Sequence, residues 1–109
     1  MSGTCIILTS CGSEETAQEI VETLVDQGLA ASATLLPSAR TYYALGGSTR
    51  WEDVCQVLIY TTEEKFEGAA KVIKRLDSFE VPEIFMVKLD GGSEEVLAWL
   101  RSMGRGKRL

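Results

Sequence analysis

The hydrophobic and polar positions of the chain follow strand-like and helix-like periods in turn. A short apolar run from Thr4 to Ser10 is bounded by glycines and predicts a buried strand. Ser13 predicts the N-cap of a helix, and Gly28 predicts the residue just past its end. The apolar positions of this segment recur every three or four residues and form one helical face: Ala17, Ile20, Val21, Leu24 and Val25.

The middle of the chain predicts a long hairpin. Residues 29–36 form an extended segment that Pro37 interrupts and that resumes at Thr41, and Gly46-Gly47 supplies a two-residue turn. From Trp51 the side chains alternate with a period of two, which predicts a strand of about ten residues. Such a hairpin is longer than a sheet of this size needs, so its tip is expected to project and to pair with a neighbour.

The last third of the chain predicts two helices with a strand between them. Thr61 and Glu64 match a capping box and predict the start of the second helix. Residues 84–89 predict a last, central strand, and Ser93 predicts the cap of a short third helix. The basic, glycine-broken segment 103–109 is expected to fray.

The predicted order is β-α-β-β-α-β with an added C-terminal helix. This order is the split βαβ, ferredoxin-like motif, an α/β (α+β) fold. A length of 109 residues fits one domain, spanning 1–109, and no linker or internal repeat indicates a second one.

Charge and composition narrow the class of partner. Lys and Arg number 11 and Asp and Glu number 16, so the net charge of −5 disfavours nucleic acid and anionic membranes as partners. No apolar run approaches the roughly 18 residues of a membrane span, and no basic segment precedes the first apolar run as in a secretory signal. We therefore expect a cytoplasmic protein.

The chain has no histidine and three cysteines. The missing histidine excludes Ser-His-Asp and Cys-His nucleophile pairs and removes the commonest transition-metal ligand, so we expect no enzyme. The cysteines form no C-x-x-C motif and are expected to be reduced, with an inter-chain disulfide as the alternative. Gly46-Gly47 and Gly91-Gly92 lack the surrounding residues of a phosphate-binding loop and are interpreted as turns.

Three acids and one thiol are the candidate metal ligands. Asp77, Glu80 and Glu83 surround Pro82 and offer oxygen ligands for a cation, although solvated loop acids are the favoured interpretation. Cys11 is predicted in an exposed loop before the first helix, where the helix N-terminus would lower its pKa and favour a soft cation such as Cu(I). Cys5 and Cys55 fall in strands, so inert, structural thiols are the favoured interpretation overall.

Aromatic residues cluster on the predicted hairpin. Tyr42, Tyr43 and Trp51 surround its turn, where they favour a subunit interface over ligand stacking. Trp99 lies on the third helix and is assigned to the core or to an interface. Gly47 is expected to need a positive φ at the turn.

Three segments resemble the CutA divalent-cation-tolerance family. LAASATLLP at Leu29–Pro37, followed by Tyr43 and Gly47, is similar to the family's LAAC…P…SIYxWxGK stretch. VPEI at Val81–Ile84 is similar to the end of HPYEVPEI, and Leu97–Leu100 to the C-terminal YLxWL helix. The match runs in order from about Ile6 to Arg101, nearly the whole chain.

The resemblance implies a function as well as a fold. It implies a ferredoxin-like fold related to PII signalling proteins and a tight homotrimer, whose long hairpins continue the sheet into neighbouring subunits. It also implies a role in tolerance of copper and other divalent ions, with copper binding in some members and no established catalysis. The expected function is therefore a non-catalytic, trimeric protein of the metal-ion response that requires no cofactor.

Four positions depart from the family pattern. The family's cysteine, histidine, tryptophan and lysine are replaced here by Ser32, Asp77, Leu45 and Ser48. Copper binding is therefore expected to be weak, and Asp77 with the two glutamates to suit harder cations. The alternatives are a PII-like sensor of a small metabolite, a structural oligomerisation module, and contact with an unknown protein partner. An acylphosphatase-like enzyme is disfavoured because residues 12–15 form an acidic loop.

Overall fold

A computed structural model describes residues 3–105 as a four-stranded antiparallel sheet with three α-helices. The strands lie in the order β2-β3-β1-β4, which confirms the predicted ferredoxin-like fold. A short 3-10 turn, Glu63–Lys65, precedes the second helix. The elements are β1 (Thr4–Cys11), α1 (Glu14–Asp26), β2 (Ser32–Leu45), β3 (Ser48–Thr62), α2 (Phe66–Leu76), β4 (Phe85–Lys88) and α3 (Glu94–Arg101).

Helix α1 begins and ends where local chemistry predicts. The Ser13 hydroxyl accepts a hydrogen bond from the Thr16 amide at 3.1 Å, so Ser13 is the N-cap. Gly28 follows the helix with a φ of 70°, a conformation that costs glycine little. Val25 is the exception on the predicted apolar face, since it is exposed.

Helices α1 and α2 pack on one face of the sheet and form the core with it. Side chains of alternate strand positions enter this core, as the period of two requires. Cys5 and Cys55 are buried among them, which confirms their assignment to the interior. The core members from the sheet are Cys5, Ile7, Cys11, Cys55, Val57 and Ile59, and those from the helices are Ala17, Ile20, Leu24, Ala69, Val72 and Ile73.

The β2–β3 hairpin is longer and more continuous than predicted. It turns at Gly46-Gly47, whose φ values of 56° and 82° allow Leu45 to pair directly with Ser48. Strand β3 has 15 residues, because its pairing with β2 continues from Trp51 to the turn. Strand β2 begins at Ser32, three positions after the predicted start at Leu29.

Pro37 bends β2 without ending it. The register shifts between Leu36 and Ala39, and Ser38 has a φ of 61°, so this segment is a β-bulge. Proline lacks an amide hydrogen, and a bulge is one of the few places in a sheet that tolerates it.

The second helix and the last strand are present as predicted, but the predicted cap of that helix and the predicted central position of that strand were wrong. Thr61 does not cap a helix, because it lies within β3 and its hydroxyl donates to the Leu29 carbonyl at 2.7 Å. The 3-10 turn starts after Thr62, which makes no side-chain capping bond. Among the described strands β4 pairs with β1 alone, so it is an edge strand and not a central one.

The C-terminal segment folds back onto the helix before it. The Gly104 amide donates to the Trp99 carbonyl at 3.1 Å, and the Met103 amide donates to the Leu100 carbonyl at 2.9 Å. The start of the tail is therefore anchored, while residues 106–109 of the segment expected to fray lie outside the described residues. Within the described part of the chain, no helix is both long and apolar enough to span a membrane.

Candidate functional site

The distal half of the hairpin extends beyond the rest of the sheet. Strand β1 pairs with β3 only as far as Cys55, so residues 48–54 of β3 pair with β2 alone. The molecule is accordingly elongated, with principal extents of 46 × 26 × 23 Å. This projecting hairpin, residues 39–54, has two strand edges that are unpaired within residues 3–105.

Tyr42 and Trp51 lie opposite each other on one face of the projecting hairpin. Their side chains are 64% and 52% exposed, a large fraction for aromatic residues. The Arg40 guanidinium stacks 3.8 Å from the centroid of the Trp51 ring, and its Nε lies 3.4 Å from Asp53 Oδ1. Two of the three aromatic residues predicted to cluster therefore lie together, with a cation stacked on the tryptophan.

Tyr43 belongs to the opposite face. It lines a cavity of about 610 Å³ between the projecting hairpin and the loop 79–83, which we call the hairpin groove. Leu45 and Glu52 line the same groove from the two strands. The predicted cluster of Tyr42, Tyr43 and Trp51 is thus divided between two surfaces, with Gly47 at the turn between the strands.

The acids predicted as metal ligands separate as well. Glu80 and Glu83 line the hairpin groove, whereas Asp77 does not. Asp77 Oδ1 accepts a hydrogen bond from the Phe79 amide at 3.1 Å, and its charge acts on Cys11. No three His, Cys, Asp or Glu side chains within residues 3–105 are grouped so as to hold a metal ion. Metal binding at these acids stays a prediction.

The prediction for Cys11 was wrong. Cys11 is the last residue of β1 and its side chain is 0% exposed, so it does not lie in an exposed loop. Burial, with added repulsion from Asp77 and Cys55, raises the pKa of the Cys11 thiol to about 12. The pKa values of Cys5 and Cys55 are also raised, chiefly by burial. All three thiols are poor nucleophiles at neutral pH.

Trp99 lies apart from the hairpin aromatics. It is half-buried on α3, where its ring contacts Gly104 closely enough that a Cβ there would lie 3.3 Å from Trp99 Cζ2. Within residues 3–105 its indole Nε1 is buried without a hydrogen-bond partner. The Trp99 ring thus packs against its own chain, and its assignment to an interface stays a prediction.

The sheet face opposite α1 and α2 carries apolar residues that the sequence analysis did not single out. Phe85 and Val87 of β4 lie beside Leu8 and Ile6 of β1 on this face, and both are exposed. Leu36 and Leu45 of β2 are exposed on the same face. The alternating pattern within residues 84–89 indicates that Phe85 and Val87 share a face of their strand. Only the sheet register shows that Leu36 and Leu45 lie on that same face.

Comparison with known proteins identifies relatives that match most of this chain. The sequence model of the CutA1 divalent ion tolerance protein family matches residues 5–103. A divalent-cation tolerance protein CutA from Thermus thermophilus is 31% identical over 96 residues, covering 88% of this chain and 93% of that protein. The corresponding protein of Pectobacterium atrosepticum is 28% identical over 97 residues, covering 89% and 88%.

Solved structures agree with the sequence matches. The crystal structure of CutA from Xylella fastidiosa has a TM-score of 0.88 at 28% identity and covers 93% of this chain and 97% of that one. The Cut A1 structure from Thermus thermophilus has a TM-score of 0.87 at 30% identity and covers 91% and 96%. The likeness therefore extends over the projecting hairpin as well as the core.

Proposed function

The chain belongs to the CutA1 divalent ion tolerance protein family, and from this we propose that it acts in the metal-ion response as a non-catalytic homotrimer. The observation that carries the proposal is the projecting hairpin, with Tyr42 and Trp51 more than half exposed. Large aromatic side chains in this position favour burial by a partner, because each removes considerable apolar area from water.

A second copy of the same chain is the partner that fits this surface best. The projecting hairpin offers strand edges for backbone pairing, and the apolar face with Phe85 and Val87 lies on the same sheet. Closed symmetry would bury both surfaces at once, since each subunit both inserts a hairpin and receives one. Three subunits is the number that the family resemblance implies.

The absence of a catalytic role is supported by the chemistry of the described residues. The buried thiols have raised pKa values, with Cys11 at about 12, and the sequence has no histidine to activate a nucleophile. The proposed role is binding and contact with other proteins, in the cytoplasm and without a required cofactor. An additional, unidentified protein partner is part of this proposal.

Divalent-cation binding in the hairpin groove is proposed to be weak. Glu80 and Glu83 supply carboxylate oxygens there, which suit hard cations better than copper. Copper prefers imidazole or thiolate ligands, and within residues 3–105 the groove lining contains neither. Assembly would add further ligands only where a second subunit reaches the groove.

The size of the hairpin groove favours one other function, the sensing of a small metabolite. Its volume of about 610 Å³ lies in the range of small-molecule sites, and its lining combines Tyr43 and Val81 with carboxylates. Those acids favour a cationic or hydroxylated ligand over a nucleotide phosphate. A purely structural oligomerisation module remains the outcome if neither a metal nor a metabolite binds.

One experiment separates these functions. The purified chain is titrated calorimetrically with Cu(II), Mn(II) and a panel of small metabolites, and its oligomeric mass is measured in parallel by light scattering. A trimer with saturable cation uptake supports the proposal, and a trimer that binds only a metabolite supports the sensor. A monomer contradicts both.

A further inference from the structure

Cys11 and Cys55 lie directly opposite each other on β1 and β3. Both side chains belong to the core beneath the helices, with 0% and 3% of their surfaces exposed. The charge of a Cys55 thiolate adds to burial and to Asp77 in raising the pKa of the Cys11 thiol. The pair is separate from the hairpin groove, whose lining contains neither cysteine.

The spacing of this pair suits a bridging ion better than a disulfide. The Glu63 amide donates to the Gly3 carbonyl, and counting along the register by twos makes Cys11 and Cys55 a hydrogen-bonded pair. Such pairs hold their Cβ atoms near the wide end of about 4.5–5.5 Å, whereas a disulfide needs about 3.8 Å. Two metal–sulfur bonds of about 2.3 Å span about 4.6 Å between sulfurs, close to the Cβ separation of about 4.5–5.5 Å that such a pair has.

Within residues 3–105, two buried oxygen atoms in the neighbourhood of Cys11 lack hydrogen-bond partners. The side chain of Thr9 is 1% exposed, two residues before Cys11 on the same face, and within residues 3–105 its hydroxyl has no hydrogen-bond partner. Asp77 Oδ2 is likewise buried and unpaired in that range, and its charge reaches Cys11. An unpaired buried oxygen is costly, and the charge of Asp77 acting on Cys11 favours a cation there over an anion.

A cleft open to solvent reaches Cys55, the cross-strand neighbour of Cys11. Its volume is about 180 Å³, and Cys55 lies in its wall together with Glu14 and Asp53. The two carboxylates give the cleft a negative potential that attracts cations and repels anions. The bulge at Pro37 and Ser38, where the β2 backbone departs from the regular sheet, also lines the cleft.

We propose that Cys11 and Cys55 form a two-thiolate site for a soft divalent cation, of which Hg(II) is the type. Binding replaces the two thiol protons, so one M(II) ion and two thiols give an uncharged M(SR)₂ unit and two protons released to water. A monovalent ion such as Cu(I) would leave a net negative charge beside Asp77 in a buried place, which is unfavourable. Thiolate ligands select soft ions, and a two-coordinate ion needs no third protein ligand.

Both ligands of this site come from one chain, and the site would supply the cation binding that the proposed metal-ion response requires. The inference rests on that role only for its biological meaning, because the binding itself needs no trimer. The oligomeric mass tests the trimer, and competition with glutathione tests Hg(II) binding. Failure of either measurement therefore contradicts one proposal without affecting the other.

The test uses the reduced, full-length protein and mercuric chloride at one equivalent, with excess glutathione as the competitor. We expect the protein to retain Hg(II), and Cys11→Ser and Cys55→Ser each to lower its apparent affinity by about 100-fold, because chelation is lost. Cys5→Ser is the matched control, a buried cysteine outside the pair, and is expected to match the wild type. Equal loss in all three variants would overturn the proposal.

A spectroscopic measurement on the wild type decides the matter if a variant misfolds. X-ray absorption at the mercury edge should show two sulfur neighbours at about 2.3 Å. A single sulfur neighbour, or two mercury ions bound per chain, would mean separate thiols and would overturn the proposal.

Discussion

Tyr42 and Trp51 face each other across a part of the hairpin where β2 and β3 pair with no other strand of residues 3–105. Both rings are exposed although aromatic side chains stabilise a fold mainly when they are buried. This relationship ties the proposed assembly to two particular residues, and it leads to predictions that separate assembly from folding.

Truncating the hairpin aromatics should weaken subunit association. Trp51→Ala removes a central anchor, for which a loss of about 2 kcal/mol or more in association free energy is typical. Tyr42→Ala should act in the same direction with a smaller effect. Analytical ultracentrifugation across a dilution series measures the change, and Val25→Ala, an exposed apolar residue on α1, is the control. Equal dissociation of Trp51→Ala and Val25→Ala would contradict an interface at the hairpin.

The turn of the hairpin should be sensitive to a side chain. Gly47 has a φ of 82°, so Gly47→Val should cost roughly 1–2 kcal/mol and loosen the hairpin and the assembly with it. Gly91→Val is a matched control, because a Cβ at Gly91 meets no atom within 4 Å and its backbone is not left-handed. Thermal unfolding and light scattering report the two effects. An unchanged trimer mass for Gly47→Val after dilution would count against the hairpin account.

The stability of the protein should fall at alkaline pH. An unfolded thiol has a pKa near its ordinary value of 9.0, whereas burial holds that of Cys11 at about 12. Between these values the unfolded chain has released a proton that the folded chain keeps, so stability is full below about pH 9 and declines toward pH 12. Urea unfolding near pH 7 and pH 10 measures the decline, which Cys11→Ala should reduce. The same decline in both proteins would contradict the prediction.

Copper(II) should bind weakly at the hairpin groove. In a Cys11→Ser, Cys55→Ser background, which removes the thiol pair, calorimetry should give a Cu(II) dissociation constant weaker than about 1 µM, because carboxylates alone are hard ligands. Replacing both Glu80 and Glu83 by Gln should abolish what binding remains. Glu94 and Glu95, changed in the same way on α3, are the control. Tighter binding would mean that the acids form a better site than their separation from Asp77 indicates.

Features that depend on neighbouring residues in the chain were predictable from the sequence. The Ser13 cap needs only the first turn of α1, and the Gly46-Gly47 turn needs only its own backbone conformation. Both were confirmed. The order of the strands in the sheet could also be predicted, because few topologies are compatible with the element order β-α-β-β-α-β.

Features set by long-range pairing were not predictable in the same way. Cys11 was assigned to a loop because glycine follows it, yet pairing with Cys55 keeps it in β1. Thr61 was assigned to a helix cap, but it belongs to β3, and its hydroxyl donates a hydrogen bond to the Leu29 carbonyl. Cys11 and Cys55 are 44 positions apart in the sequence (55 minus 11), so no local motif predicts that they form a pair.

Native mass spectrometry of the full-length chain tests the central claim most directly. The spectrum should show one species that contains three chains of 11.9 kDa each, and the Gly91→Val control should also be a trimer. A trimer that persists on dilution is the result we predict. A species of 11.9 kDa at every concentration would contradict the assembly, and with it the function proposed for the projecting hairpin.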